Sequence, residues 1–332
     1  MRFDIAAWCL TGIALFFILH LHLLPALLAG LLVFHLVHLL AARLPGRLAA
    51  SPRARVLALG LLAIVVIGAV AGAITGIVVF FRSDAGSLAV LLAKMADIIE
   101  GVRSKLPAAV AALIPADFHQ IKLAVSGWLR EHATELQSVG KEAVLVSVHV
   151  LIGMVIGAML ALQEAVPHHV AGGPLAVALS ERARRLAEAF RSIVFAQVKI
   201  SAVNTVFTAL YLLVVLPLFG VHLPLGKSLV AVTFFAGLLP VLGNLISNVV
   251  IVVVSLSHSP ETALASLVFL VVIHKLEYFL NARIVGSGIG ARAWELLIAM
   301  LAMEAAFGVA GVVAAPIFYA YLKDELRARG AI

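Results

Sequence analysis

The sequence predicts an all-α, polytopic membrane protein of about eight membrane segments, one of them broken or re-entrant, with an extramembrane amphipathic helical insertion. Three observations lead there. Apolar residues make up 63% and charged residues 12% of the 332 residues, where a soluble domain carries about 45–50% and about 25%. Apolar runs of roughly 20 residues, the length that crosses a ~30 Å hydrocarbon layer, recur along the chain. Lysine and arginine gather in short loops between those runs, so the net charge of +7 sets orientation in the bilayer and is no nucleic-acid footprint.

The first run, Ile5 to Ala42, is long enough for two spans, with Leu21-His22-Leu23-Leu24-Pro25 as the turn. It lacks a charged leading region and a small-residue cleavage site, and reads as a retained helix. Arg43 to Arg55 carries Arg43, Arg47, Arg53 and Arg55 with Pro45, Gly46 and Pro52, which marks a short cytoplasmic loop. Val56 to Phe81 is the next span. Its Gly60, Gly68, Gly72 and Gly76 predict close helix packing.

From Arg82 to Glu142 the pattern turns amphipathic. Leu88, Leu91, Leu92, Met95, Ile98, Ile99, Val102 and Leu106 follow helical spacing, and Pro107 and Pro115 separate them from a second helix over 117–139. Seven basic and seven acidic residues balance here, so the apolar stripes must be covered by membrane surface, bundle or a neighbouring subunit. Ala143 to Leu162 returns across the membrane, and SERARRLAEAFR, Ser180 to Arg191, is a basic cytoplasmic helix. Four apolar runs follow: Ile193 to Leu218, Ser228 to Ser257, Thr262 to Leu280 and Trp294 to Tyr321. The basic tail from Lys323 to Arg329 leaves both termini cytoplasmic. The predicted regions are N-terminal spans at 1–81, the insertion at 82–142, a returning span with the basic helix at 143–192, and a C-terminal region at 193–332.

The third-last region that matters most is FFAGLLPVLGNLISN at 234–248. Proline and glycine at membrane depth leave backbone groups that lipid cannot satisfy, so the stretch is buried in protein or lines a wet cavity. Transporters bind substrates and ions at such interrupted helices, while the plainer reading is a kinked helix in a packed bundle. Gly237, Pro240, Gly243, Asn244, Ser247 and Asn248 are the candidates on it. Gln197, Ser201, Asn204, Thr208 and Tyr211 succeed one another at alternating spacings of four and three, which aligns them on one helical stripe. They either bond neighbouring helices or line a path.

Glu277 and Asn281 share a face in HKLEYFLNARIVG, with His274 beside them, and Arg283 closes the segment, where lysine and arginine snorkel. Glu304 stands about ten residues into its apolar run. Such a carboxylate is either paired, with Lys199 or Lys275 as partners in reach, or protonated and available for coupling. The run Gly308, Gly311, Ala314, Ala315, Pro316 predicts close packing and a second break. His20, His22, His35 and His38 lack an accompanying acid or thiolate, so no metal site is expected and they read as interfacial histidines. Cys9 is the only cysteine, which excludes an internal disulfide. No GxxxxGK[ST], HExxH or GxSxG motif occurs, so neither an enzyme nor a cofactor is expected.

The Gln197 helix, GLLPVLGNLISN at 237–248, LEYFLNARIVG at 276–286 and AAFGVAGVVAAP at 305–316, in that order, resemble the autoinducer-2 exporter family of bacterial membrane proteins. The chain departs from that pattern at Asn281-Ala282, where relatives often have a proline, and at Glu304, where they tend to have a small residue. The resemblance implies a secondary transporter of the bacterial inner membrane, exporting a small polar solute such as autoinducer-2 on an ion gradient, or exchanging sodium or lithium for protons. It also implies a homo-oligomer, a pentamer in form, with the N-terminal spans and insertion as scaffold and the broken segments as mover. A non-transporting membrane scaffold is the reading from another class.

Overall fold

The structure is a computed structural model, and it describes residues 2–44, 52–82, 131, 133–163, 173–223, 225–238, 242–284 and 292–331. All regular structure among these residues is helical. The helices are α1 (Arg2–His20), α2 (Leu24–Ala42), α3 (Pro52–Arg82), α4 (Ala133–Gln163), α5 (Pro174–Leu210), α6 (Gly226–Gly237), α7 (Leu242–His258), α8 (Pro260–Ile284) and α9 (Ala293–Ala328). Among the described residues five stretches are long and apolar enough to cross a membrane: Arg2–His20, Leu24–Ala42, Lys141–Gln163, Pro174–Leu218 and Trp294–Ala328. The predicted insertion falls mostly on 83–130 and 132, outside the described residues. Its last part is seen, and no helix boundary separates Val139 from Ala143, because α4 runs unbroken from Ala133. At 31 residues each, α3 and α4 are about 46 Å long and exceed a ~30 Å hydrocarbon layer.

The chain forms two compact units: Met1–Val70, Val139–Phe195 and Ile284–Ile332 make the first, Ala71–Ser138 and Ala196–Arg283 the second. In the first unit α1 turns into α2 where predicted, through His22 at φ 55°, with Pro25 in the opening turn of α2. A proline costs nothing there because that N–H has no helical partner. Helices α2 and α4 cross with backbone in contact. A Cβ on Gly153 would stand 2.0 Å from the Ala26 carbonyl oxygen, and one on Gly157 would stand 2.1 Å from that of Gly30. The glycines singled out in sequence behave otherwise: a Cβ on Gly60, Gly68 or Gly72 would meet nothing within 4 Å. Close packing depends on which face meets a neighbour, and spacing alone does not say so.

The apolar run that begins at Trp294 is no single crossing. Gly308 has φ 61° and ψ −144°, a conformation open to glycine and strained for any residue with a Cβ. There α9 folds back on itself. A Cβ on Gly311 would lie 1.9 Å from the Met303 carbonyl oxygen, and at the open end Glu295 accepts hydrogen bonds from Tyr319 Oη at 2.9 Å and from Lys323 Nζ. The second arm then runs antiparallel to α1. Glu325 accepts from Trp8 Nε1 at 3.0 Å and Arg329 pairs with Asp4 at 2.7 Å, while Leu19, Leu24 and Ala314 share one buried cluster with Phe307 against it. Arg182 of α5 joins the charged end, pairing with Asp4 at 3.3 Å and lying 3.8 Å from Glu325.

Glu304 lies one turn before the reversal at Gly308 with its side chain exposed, so the apolar run counted from Trp294 does not continue straight past it.

Candidate functional site

The second unit contains the break foreseen at 234–248. Helix α6 stops at Gly237 and α7 starts at Leu242; Pro240 and its neighbours at 239–241 lie outside the described residues. At 12 and 17 residues, the two helices are about 18 and 25 Å long, and neither crosses a bilayer alone. They pack antiparallel. A Cβ on Gly243 would fall 1.8 Å from the Ala236 carbonyl oxygen, and further down Leu229 and Ile251 belong to one buried cluster.

Ending α6 at this depth strands its last carbonyls, which lack an N–H one turn on. Side chains of α5 meet two of them. Gln197 Nε2 donates to the Gly237 carbonyl at 2.7 Å, and Ser201 Oγ donates to that of Phe234 at 2.7 Å. Gly237 must be glycine for this approach, since a Cβ would sit 2.7 Å from Ser201 Oγ. The start of the predicted stripe thus bonds a neighbouring helix. Leaving the Gly237 carbonyl bare in an apolar setting costs about 1–3 kcal/mol. We expect Gln197→Leu to lower the melting temperature in detergent by several degrees, with Gln197→Asn no substitute because its shorter side chain falls short; a Leu variant that melts like wild type would remove Gln197 from this role.

The stripe continues inward. Asn204 and Thr208 are buried, and Thr205 Oγ1 bonds the Ser201 carbonyl at 2.7 Å. Beyond Leu210 the helix widens into a π-turn, Tyr211–Val215, before a last α-turn at Leu216–Leu218. Pro217 explains the widening, because its ring clashes with the carbonyl four residues back, that of Leu213, and it offers no N–H. Tyr211 at the head of that turn stacks on Phe269 at 4.0 Å. Its hydroxyl lies 3.0 Å from Ser266 Oγ of α8, and Ser266 lies 2.7 Å from Ser255 Oγ of α7. Ser255 and Ser266 are wholly buried.

Of the other predicted residues on the hairpin, Ser247 is buried and Asn248 half-buried; the side chain of Asn244 lies outside the described residues. So do those of Glu277, Asn281 and Arg283, whose backbone continues α8. Glu304 belongs to the first unit. Sequence reasoning passed over Thr233, Ser255 and Ser266, all buried. Single hydroxyls inside apolar runs, as in VVVSLS and ALASLV, were the available signal. Among the described residues no group of three or more His, Cys, Asp and Glu side chains is placed to hold a metal ion.

A family model for AI-2E family transporters matches residues 3–328. No curated protein and no solved structure matches the chain.

Proposed function

The chain belongs to the AI-2E family of transporters, and from that premise we propose that it is a secondary transporter of the bacterial inner membrane that exports a small polar solute, of the autoinducer-2 kind, at the expense of an ion gradient. As a multi-pass membrane protein of a transporter family it needs a path for a polar cargo. The broken hairpin of α6 and α7 supports one in the second unit: two half-length helices lie antiparallel, and the carbonyls exposed by the break are held by Gln197 and Ser201, which a moving solute can replace one bond at a time. Asn204, Thr208, Ser247 and Asn248 extend the polar lining from that break. Both termini are assigned to the cytoplasm on the positions of the basic loops, and assembly into a homo-oligomer follows the family resemblance.

Reconstituted in liposomes, the protein is expected to exchange autoinducer-2 in counterflow and to accumulate it when an ion gradient is imposed. Cysteines introduced at Asn204 and Asn244 are expected to react with a water-soluble maleimide in membranes. Cation exchange for protons without solute movement would replace export by sodium or lithium antiport, and unreactive cysteines with no flux of either kind would leave a scaffold.

A further inference from the structure

The hairpin of α6 and α7 is fastened to the rest of its unit unevenly. At its base, Leu229 of α6 and Ile251 of α7 share one buried cluster with Tyr211, Leu212 and Leu216 at the end of α5 and Leu270 of α8. At the same end Ser255 of α7 lies 2.7 Å from Ser266 of α8, Ser266 lies 3.0 Å from the Tyr211 hydroxyl, and Tyr211 stacks on Phe269. Both serines are wholly buried, so parting this seam strands polar atoms in an apolar interior. Toward the tip the apolar packing ends. Among the described residues no buried cluster includes a residue of α6 past Val230 or of α7 before Val250. There the bonds to α5 are polar, from Gln197 to the Gly237 carbonyl and from Ser201 to that of Phe234. Both acceptors are backbone carbonyls, which water or a polar solute satisfies as well. The two arms themselves stay together at the tip, since Gly243 meets the Ala236 carbonyl with no room for a Cβ.

We infer that α6 and α7 form a flap, a rigid hairpin that swings from α5 on a hinge at Tyr211, Ser255 and Ser266 and is latched shut by Gln197 and Ser201. At 1.5 Å per residue the two latch residues lie about 15 and 21 Å from Tyr211 along α5. A swing of about 10° therefore parts the Gln197 bond by about 4 Å, and the gap admits a group the size of a water molecule. Asn204 and Thr208, buried between hinge and latch, then come into reach of solvent. The motion is internal to the unit, of the hairpin against α5. Carrying the broken segments as one body would leave both latch bonds made. The inference rests on the reading that the second unit holds the transport path, and it gives that path a gate held by two hydrogen bonds.

The test uses the whole protein in lipid nanodiscs, with Cys9, the only cysteine, replaced by alanine and spin labels on cysteines introduced at exposed positions. Val206 on α5 is the reference, Leu245 reports the tip and Val253 the base. Distances between labels are measured by pulsed dipolar spectroscopy with and without autoinducer-2. The tip pair is expected to show two populations about 4 Å apart, the closed one at the spacing of the structure, in a ratio that the solute changes. The base pair is expected to show one distance that the solute does not move. Ser201→Ala removes one latch bond and is expected to shift the tip ratio about fivefold against the closed population, while Tyr211→Phe broadens the base distance. Melting in detergent shows that each variant is folded, and Phe235 on α6, also exposed, takes the tip label if Leu245 does not tolerate it. A single tip distance that neither solute nor Ser201→Ala alters would overturn the flap, as would tip and base distances that change together. Autoinducer-2 counterflow in liposomes reads the transport path separately. A moving tip without counterflow defeats the path and leaves the flap, and counterflow with a fixed tip does the reverse.

Discussion

Gly243→Ala is expected to abolish solute counterflow and to cost about 3 kcal/mol or more of stability. A single methyl there would have to occupy the place of the Ala236 carbonyl oxygen, 1.8 Å away, with the carbonyl carbon at 2.4 Å. Both atoms are backbone, so no side chain can rotate aside, and the tips of α6 and α7 must part. Parting them pulls Gly237 and Phe234 from Gln197 and Ser201 and leaves carbonyls bare where lipid or apolar side chains would face them. The measurement is a pair: counterflow in liposomes and thermal unfolding in detergent. A Gly243→Ala protein that transports and melts like wild type would show that the two arms do not pack as tightly as described.

The second large effect is expected at the crossing of α2 and α4 in the other unit. Gly157→Leu places a side chain against the Gly30 backbone, whose oxygen lies 2.1 Å from the position of the new Cβ. Helices in lipid gain nothing from hiding apolar surface, so their association rests on close van der Waals contact and is lost when the backbones are wedged apart. We expect a loss of about 3 kcal/mol, seen as failure to recover monodisperse protein after mild heating. Gly60→Ala on α3, with nothing within 4 Å, is the matched control and is expected to change stability by less than ~0.5 kcal/mol. Equal behaviour of the two variants would show that the crossing contributes no more than an open face.

Gly68, Gly72 and Gly76 repeat every four residues and looked like a packing stripe, while Gly30, Gly153 and Gly157 drew no notice. The break in the hairpin was legible because Pro240 and two glycines interrupt an apolar run, and their chemical consequence in lipid does not depend on what surrounds them. The second break near Gly308 was legible for a similar reason. That the chain reverses there was not, since a positive φ is permitted to glycine but never demanded by it. Depth counted along a run to Glu304 holds only while the run is straight, and this one reverses one turn further on.

The buried hydroxyls were half legible. Gln197, Ser201, Asn204, Thr208 and Tyr211 share one stripe on any α-helix, so their common direction followed from spacing. Which groups they meet did not: the carbonyls of Phe234 and Gly237 are in no way marked in sequence, and Ser255 and Ser266 stand eleven residues apart with nothing in their spacing to pair them. What is local or compositional could be read from the residues alone: helices of membrane length, the orientation signal of the basic loops, an interruption of helix between Gly237 and Leu242, and the order of motifs that carries the family. Which glycine faces a neighbour, where Gly308 turns the chain, and which hydroxyl reaches which oxygen were fixed by packing. A periodic helix exposes every face to its own sequence pattern, but contact between faces is fixed by how helices cross, and that is a property of the packed whole.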